Sequence, residues 1–303
     1  MNHKTESRWS RWAASLLTAA VVTLTGCTTV PSDALTSFAS GITTARTQSQ
    51  EAFNTVNELV ADASLDFAAS QTNLVESSFA AGLDEESLAA WDEILEKLEK
   101  YARHLQLLTS PDLAGSFDDE AVNLSGELKN FGQHLQGAGL INKSPEISPA
   151  IATGFTKLGE VIIRLRAQAR ARKVLADTDA EIGRILRTMA GSVGTSRTNG
   201  IRGTATSHWT QFLGEKKVAF RTQSDQSGKR QVAADFRKLM ERRSAQDLVL
   251  LSLRRSLLEL ADLHHALAQG ERLSAESAAG AIADEIKRTR DLSSRFQDKL
   301  KNQ

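Results

Sequence analysis

The 303-residue sequence predicts an all-α fold, an elongated antiparallel helical bundle of about six helices with coiled-coil character. Three observations lead there. Aromatics make up only 5% of the chain and prolines number four, while Ala, Leu, Glu, Lys, Arg, Gln and Ser, the residues of long helices, dominate. Apolar residues recur at intervals of three and four in nearly every segment, and no strand-like alternation of any length is found. Finally, the 37 basic and 37 acidic residues cancel in total but are unevenly placed. Pro31 to Leu140 holds 5 basic and 18 acidic residues, net −13, and Ile141 to Gln303 holds 29 and 18, net +11. Opposite charge predicts that acidic helices of the first half pack beside basic helices of the second.

The elements follow in order. Pro31-Ser32-Asp33 supplies a breaker and cap candidates, and a first helix places Leu35, Phe38, Ile42, Ala45, Ala52, Val56, Leu59, Ala63, Phe67 and Leu74 on one seam. Asp84 reads as the N-cap of a second helix with Leu88, Trp91, Leu95, Leu98, Ala102 and Leu105 on its stripe, stopping at Thr109-Ser110-Pro111. A third starts near Asp118, uses Val122, Leu124, Leu128, Phe131 and Leu135, and ends at Gly137-Ala138-Gly139. Ser148-Pro149 starts a fourth, through Phe155, Leu158, Ile162 and Leu165 to about Ala176. Between Asp177 and Gly228, Ile182, Ile185, Leu186 and Met189 are helical, but Gly191, Gly194, Gly200 and Gly203 predict a helix that is weak or broken. The strongest pattern is Val232, Phe236, Leu239, Leu250, Leu253, Leu257, Leu260, His264 and Leu267, ending near Gln269-Gly270. Ser274 then caps a last helix through Ile282, Ile286, Leu292, Phe296 and Leu300.

The amino terminus carries the address. Lys4, Arg8 and Arg11 precede an uncharged run from Ala13 to Leu24, which is shorter than the roughly 20 apolar residues of a membrane-spanning helix. It closes on Leu24-Thr25-Gly26-Cys27, and Cys27 is the sole cysteine. This stretch resembles the lipobox of bacterial lipoproteins. The resemblance implies a signal peptide over 1–26, removal of that signal, acylation of Cys27 (thiol and new amino terminus), a lipidated tether over 27–32 and a helical bundle over 33–303. It also implies an outer-membrane destination, since Thr28 stands where Asp marks inner-membrane retention. Several acyl chains on one residue make a durable anchor to membrane lipid. A lone cysteine excludes an intrachain disulfide.

Catalytic signals are sparse. Glu259, Asp262 and His265, with His264 adjacent, have a spacing used in di-metal bundles, which need that motif twice. It occurs once here, so the expectation is a solvated acidic flank with one histidine over the core seam, and neither a metal nor a cofactor. No Gly-x-Ser-x-Gly, phosphate-binding glycine loop or paired-cysteine metal motif is present. Lys229, Arg230, Arg237, Lys238, Arg242, Arg243, Arg254 and Arg255 crowd one helix, and Lys287, Arg288, Arg290, Arg295 and Lys299 the next. They lack interleaved stacking aromatics, which argues against nucleic acid and leaves an envelope protein or an anionic surface as the external partner. The favoured function is a non-enzymatic structural or interaction lipoprotein. A membrane-active protein, pore-forming or remodelling, and a metal-dependent bundle enzyme are the alternatives.

Overall fold

The computed structural model describes residues 32–69, 82–109, 117–137, 148–165 and 171–301, with 30, 73 and 76 as isolated positions. Among them lie eight helices and no strand: α1 (Ser32–Ala69), α2 (Glu85–Leu107), α3 (Phe117–Gly137), α4 (Pro149–Leu165), α5 (Ala171–Val193), α6 (Gly200–Thr222), α7 (Gln226–Gln269) and α8 (Arg272–Lys301). The expected signal peptide over 1–26, Cys27 and the expected tether apart from Val30 and Ser32 lie outside the described residues.

Caps set several helix ends as the sequence predicts. Asp84 Oδ1 accepts the Ser87 N–H at 2.8 Å, satisfying a donor that the first turn of α2 cannot use. Helix α4 starts at Pro149, whose missing N–H costs nothing there. Gly270 closes α7 in the left-handed region at φ 73°, where a side chain would be strained.

The helix count differs from about six for two reasons. The expected fourth helix, Pro149 to about Ala176, is two: α4 ends at Leu165, α5 begins at Ala171, and Gly154 of α4 lies against Ile185 of α5, so the chain has turned back. The apolar period continues across that reversal because both helices face the same core, so periodicity alone cannot place it. The glycine-rich stretch is a break. Gly194 (φ 108°) and Gly200 (φ 61°) bracket a short turn, and Asn199 Oδ1 accepts the Ser196 N–H at 3.0 Å inside it.

Smaller differences follow. Helix α1 is described to Ala69; Leu74 and the side chains of Leu59, Ala63 and Phe67 lie outside the described residues, and beyond Val56 the described buried positions are Val60, Ser64 and Ala68. Val122 is exposed, with Ala121 and Ser125 facing inward instead. Ser274 falls inside α8, which starts at Arg272. Val232, Phe236 and Leu239 are only half buried, so the core-facing run of α7 begins at Gln246.

One hydrophobic core joins the helices, and α7 is its axis. Leu250, Leu253, Leu257, Leu260, Leu263 and Leu267 are enclosed by α1, α5 and α8, while α6 packs near Gln246. Helices α1 and α7 run antiparallel: Phe38 meets the His264 ring, Gly41 meets Leu260, and Gln48 Oε1 accepts from Ser256 Oγ at 3.2 Å. Outside that axis α3 and α4 pack as a pair. Gly159 lets α4 come so close that its carbonyl accepts the Ser125 hydroxyl at 2.7 Å.

Gly194→Ala should destabilise the fold by roughly 1–3 kcal/mol, because a Cβ there falls 2.1 Å from the Asn199 carbonyl oxygen in a backbone region that L-residues avoid. Gly214→Ala, in the interior of α6 with nothing within 4 Å of the added atom, should stabilise by about 0.5–1 kcal/mol. Urea unfolding of the two variants provides the comparison.

Candidate functional site

A polar assembly lies in the core where α2, α5 and α7 meet. Tyr101, Thr178 and His264 are fully buried. Tyr101 Oη is 2.8 Å from His264 Nε2 and 2.6 Å from Thr178 Oγ1, and His264 Nδ1 is 3.3 Å from Asp179 Oδ1. His265 Nδ1 reaches the other oxygen of Asp179 at 2.7 Å, from an exposed position. Leucines enclose the group, and Phe38 lies against the imidazole.

Proton directions follow from chemistry. An ionised Asp179 only accepts, so a neutral His264 places its proton on Nδ1 and accepts the Tyr101 O–H at Nε2. Tyr101 then accepts from Thr178. Thr178 Oγ1 also lies 2.7 Å from the Val174 carbonyl, but one hydroxyl proton cannot serve both contacts. Were it given to Val174, Tyr101 would donate to Thr178, Nε2–H to Tyr101, and His264 would need both protons to face Asp179. Burial opposes that ion: desolvation pushes the His264 pKa down, with Asp179 partly offsetting it. The neutral chain therefore prevails, running Thr178 to Tyr101 to His264 to Asp179.

This resembles a catalytic relay in connectivity but not in access. Burial raises the Tyr101 pKa far above the ordinary phenol range, with the Thr178 hydrogen bond opposing it and Asp179 adding to it, so no phenolate nucleophile forms. Thr178, Tyr101 and His264 are sealed from solvent; only Asp179 and His265 face it. The chain satisfies buried polar groups from three helices at once and thereby fixes their register.

The predicted residues on α7 do not converge. His264 sits over the core seam, whereas Asp262 is exposed and pairs with Arg187 at 3.1 Å, and His265 is turned to Asp179. Glu259 has its pKa raised by burial and by the charges of Asp262 and Glu285. Among the described residues no group of three or more His, Cys, Asp or Glu could hold a metal ion. Tyr101, Thr178 and Asp179 escaped the sequence reading, although Tyr101 is the chain's sole tyrosine and lies beside the Leu98 and Ala102 stripe.

The expected pairing of acidic first half with basic second half is not what these interhelical ion pairs follow. Arg46 of α1 grips Asp92 of α2 through two parallel contacts of 2.7 and 2.6 Å and reaches Glu99 at 3.2 Å. Lys97 and Lys100 of α2 meet Glu127 of α3. Arg187 meets Asp262, and Arg197 and Arg202 share Asp247 at 2.8 and 2.9 Å. Each joins residues of one half. Consecutive helices lie side by side, and where the halves meet along α1 and α7 the contact is chiefly apolar.

The basic residues instead mark a projecting hairpin. Between Gly214 and Ala245, the end of α6 and the start of α7, no residue is buried. Lys217 Nζ lies over Phe236 and Lys229 Nζ over Phe220, stitching the two helices together. Arg221, Arg230, Arg237 and Lys238 are exposed. At its base Trp209 Nε1 donates to Gln246 Oε1, and Arg202 binds Asp247.

Compared with known protein families, curated proteins and solved structures, the chain matches none.

Tyr101→Phe should cost roughly 1–3 kcal/mol by leaving His264 Nε2 and Thr178 without their shared partner. Acid should also destabilise the fold. Burial pushes His104 down to about 4 and lowers His264, so below the ordinary histidine value the unfolded chain binds more protons than the folded one. Stability is then lost as pH falls from about 6.5 towards 4. Asp179, held low mainly by its His264 hydrogen bond, adds a loss below the ordinary carboxylate value. Melting temperatures across this range should fall steadily for the native chain and less steeply for His104→Leu.

Proposed function

We propose that this chain is a non-enzymatic lipoprotein of the cell envelope, anchored through acylated Cys27 in the outer membrane, and that its helical bundle is a structural or interaction module. Leu24-Thr25-Gly26-Cys27, at the end of a basic and then apolar leader, carries this reading. Among the described residues no helix is long and apolar enough to cross a membrane, so a lipid on Cys27 is the firm attachment in this reading. Four residues lie between Cys27 and Ser32, so the anchor residue sits within about 18 Å of the start of α1. The bundle is an elongated, coiled-coil-like rod: α7 has 44 residues, a length of about 66 Å. External partners are membrane lipid at the anchor, and an envelope protein or an anionic surface at the basic second half.

Cys27→Ser should leave the protein unprocessed, or soluble once membranes are washed with about 0.5 M salt, read by cell fractionation with acyl labelling; a correctly processed variant that stays membrane-bound through that wash would defeat the anchor. Small-angle scattering of a chain beginning at Thr28 should give a radius of gyration well above the roughly 19 Å of a globule of this size.

A further inference from the structure

The hairpin formed by the end of α6 and the start of α7 combines three properties found together in no other described part of the molecule. It is cationic, with nine basic and four acidic residues between Gly214 and Ala245, net +5. It is apolar where it meets solvent: of the six large hydrophobic side chains exposed among the described residues, Val218, Phe220 and Met240 lie on it and Leu248 at its base. It is also little covered: neither of its helices fully buries a residue over this span, and only Leu239 and Ala245, near its base, touch the core. Six exposed positions of α7, Arg230, Ala233, Arg237, Met240, Ser244 and Leu248, follow one another at helical spacing, with Gln231, Lys238 and Glu241 also exposed beside them.

We propose that this hairpin docks on an anionic lipid surface. Single apolar residues set among arginines and lysines on a helix suit the headgroup boundary, where the cations meet lipid phosphates and the apolar side chains enter the acyl region. A protein interface would gather its apolar residues into a charge-depleted centre, which this surface lacks. A second copy would bring net +5 against net +5. The hairpin lies on a membrane and does not cross it, for it is too charged to enter the hydrocarbon.

Its position assigns the membrane. Because α1 and α7 are antiparallel, with Phe38 against His264 and Gln48 against Ser256, the start of α1 lies by the carboxyl end of α7. The hairpin turn lies at the other end, about 65 Å away along the helix. With Cys27 within about 18 Å of Ser32, the anchor and the hairpin occupy opposite ends of the rod. The surface bound is therefore a second membrane, facing the one that holds the lipid. This last step rests on the Cys27 anchor; the lipid affinity of the hairpin does not.

The test has two arms. A chain beginning at Thr28, which retains every described helix and contains no cysteine, is sedimented with vesicles of phosphatidylcholine alone or with about 30% phosphatidylglycerol. Binding to the anionic vesicles only, lost by about 0.5 M salt, is expected. Each basic residue near such a surface contributes roughly fivefold, so Arg230→Gln, Arg237→Gln and Lys238→Gln together should weaken binding at least about tenfold. Val218→Ser with Phe220→Ser should also weaken it, while Lys173→Gln, Arg255→Gln and Lys287→Gln together should have little effect. A fluorophore at Ser224→Cys, beside the turn, should be quenched by brominated lipid. Helical circular dichroism should be retained throughout, because none of the hairpin side chains changed is buried. Absence of vesicle binding, an equal loss in the Lys173, Arg255 and Lys287 variant, or binding only to acidic proteins overturns the proposal. In the second arm, the acylated protein in neutral proteoliposomes should cluster anionic vesicles, and the Arg230, Arg237 and Lys238 variant should not. Failure to cluster, with the first arm intact and acylation of Cys27 verified by labelling, overturns the two-membrane geometry alone. Failure of the anchor appears in the Cys27→Ser fractionation and leaves the first arm untouched.

Discussion

Burial of one face of the carboxyl-terminal half of α7 is the constraint on which the rest of the bundle depends. From Leu250 to Leu267 that helix has α1, α5 and α8 around it, and α6 joins at Gln246. An isolated helix is marginal in water, and its stability in a protein comes from such burial. The same helix, carried on towards Gln226, has the end of α6 beside it and fully buries no residue before Gln246. One continuous helix thus serves both core and hairpin, and the hairpin adds only Leu239 and Ala245 to the edge of the core.

Polar groups inside the bundle refine this arrangement. Tyr101, Thr178, His264 and Asp179 tie α2, α5 and α7 together at one level, and any shift along a helix would leave a buried donor or acceptor unsatisfied. Arg46 does similar work between α1 and α2 with Asp92 and Glu99, from a half-exposed site where screening reduces its value. The Gly194 to Gly200 turn is held by its own Asn199 and by Arg202, whose side chain links the Gly194 carbonyl to Asp247 on α7. That linkage fixes the angle at which α6 leaves the core and so the direction of the hairpin.

Charge divides along a line other than the one between the two halves of the sequence. Net −13 and net +11 suggest mutual neutralisation, yet the pairs at Arg46, Lys97, Lys100, Arg187 and Arg202 are made with acids of the same half of the chain. Much of the basic excess of the second half is left on exposed helix, where it acts outward.

The sequence by itself determined the helical class, most of the core stripes, the caps at Asp84 and Ser148-Pro149, and a break among the glycines. These are local matters: a period of 3.6 residues, a side chain that satisfies the first turn, a backbone angle open to glycine. The placement of His264 over the core was legible for the same reason. Only the tertiary structure decided that the fourth predicted helix turns back before Ala171, since a period is blind to the direction of the chain. It alone brought Tyr101, Asp179 and His264 together from separations of 77 residues and more. It also decided that Val232, Phe236 and Leu239, as regular in spacing as Leu250 to Leu267, are only half buried, with Leu239 at the margin of the core. Spacing shows which residues share a face, but whether that face is covered depends on which helices reach it.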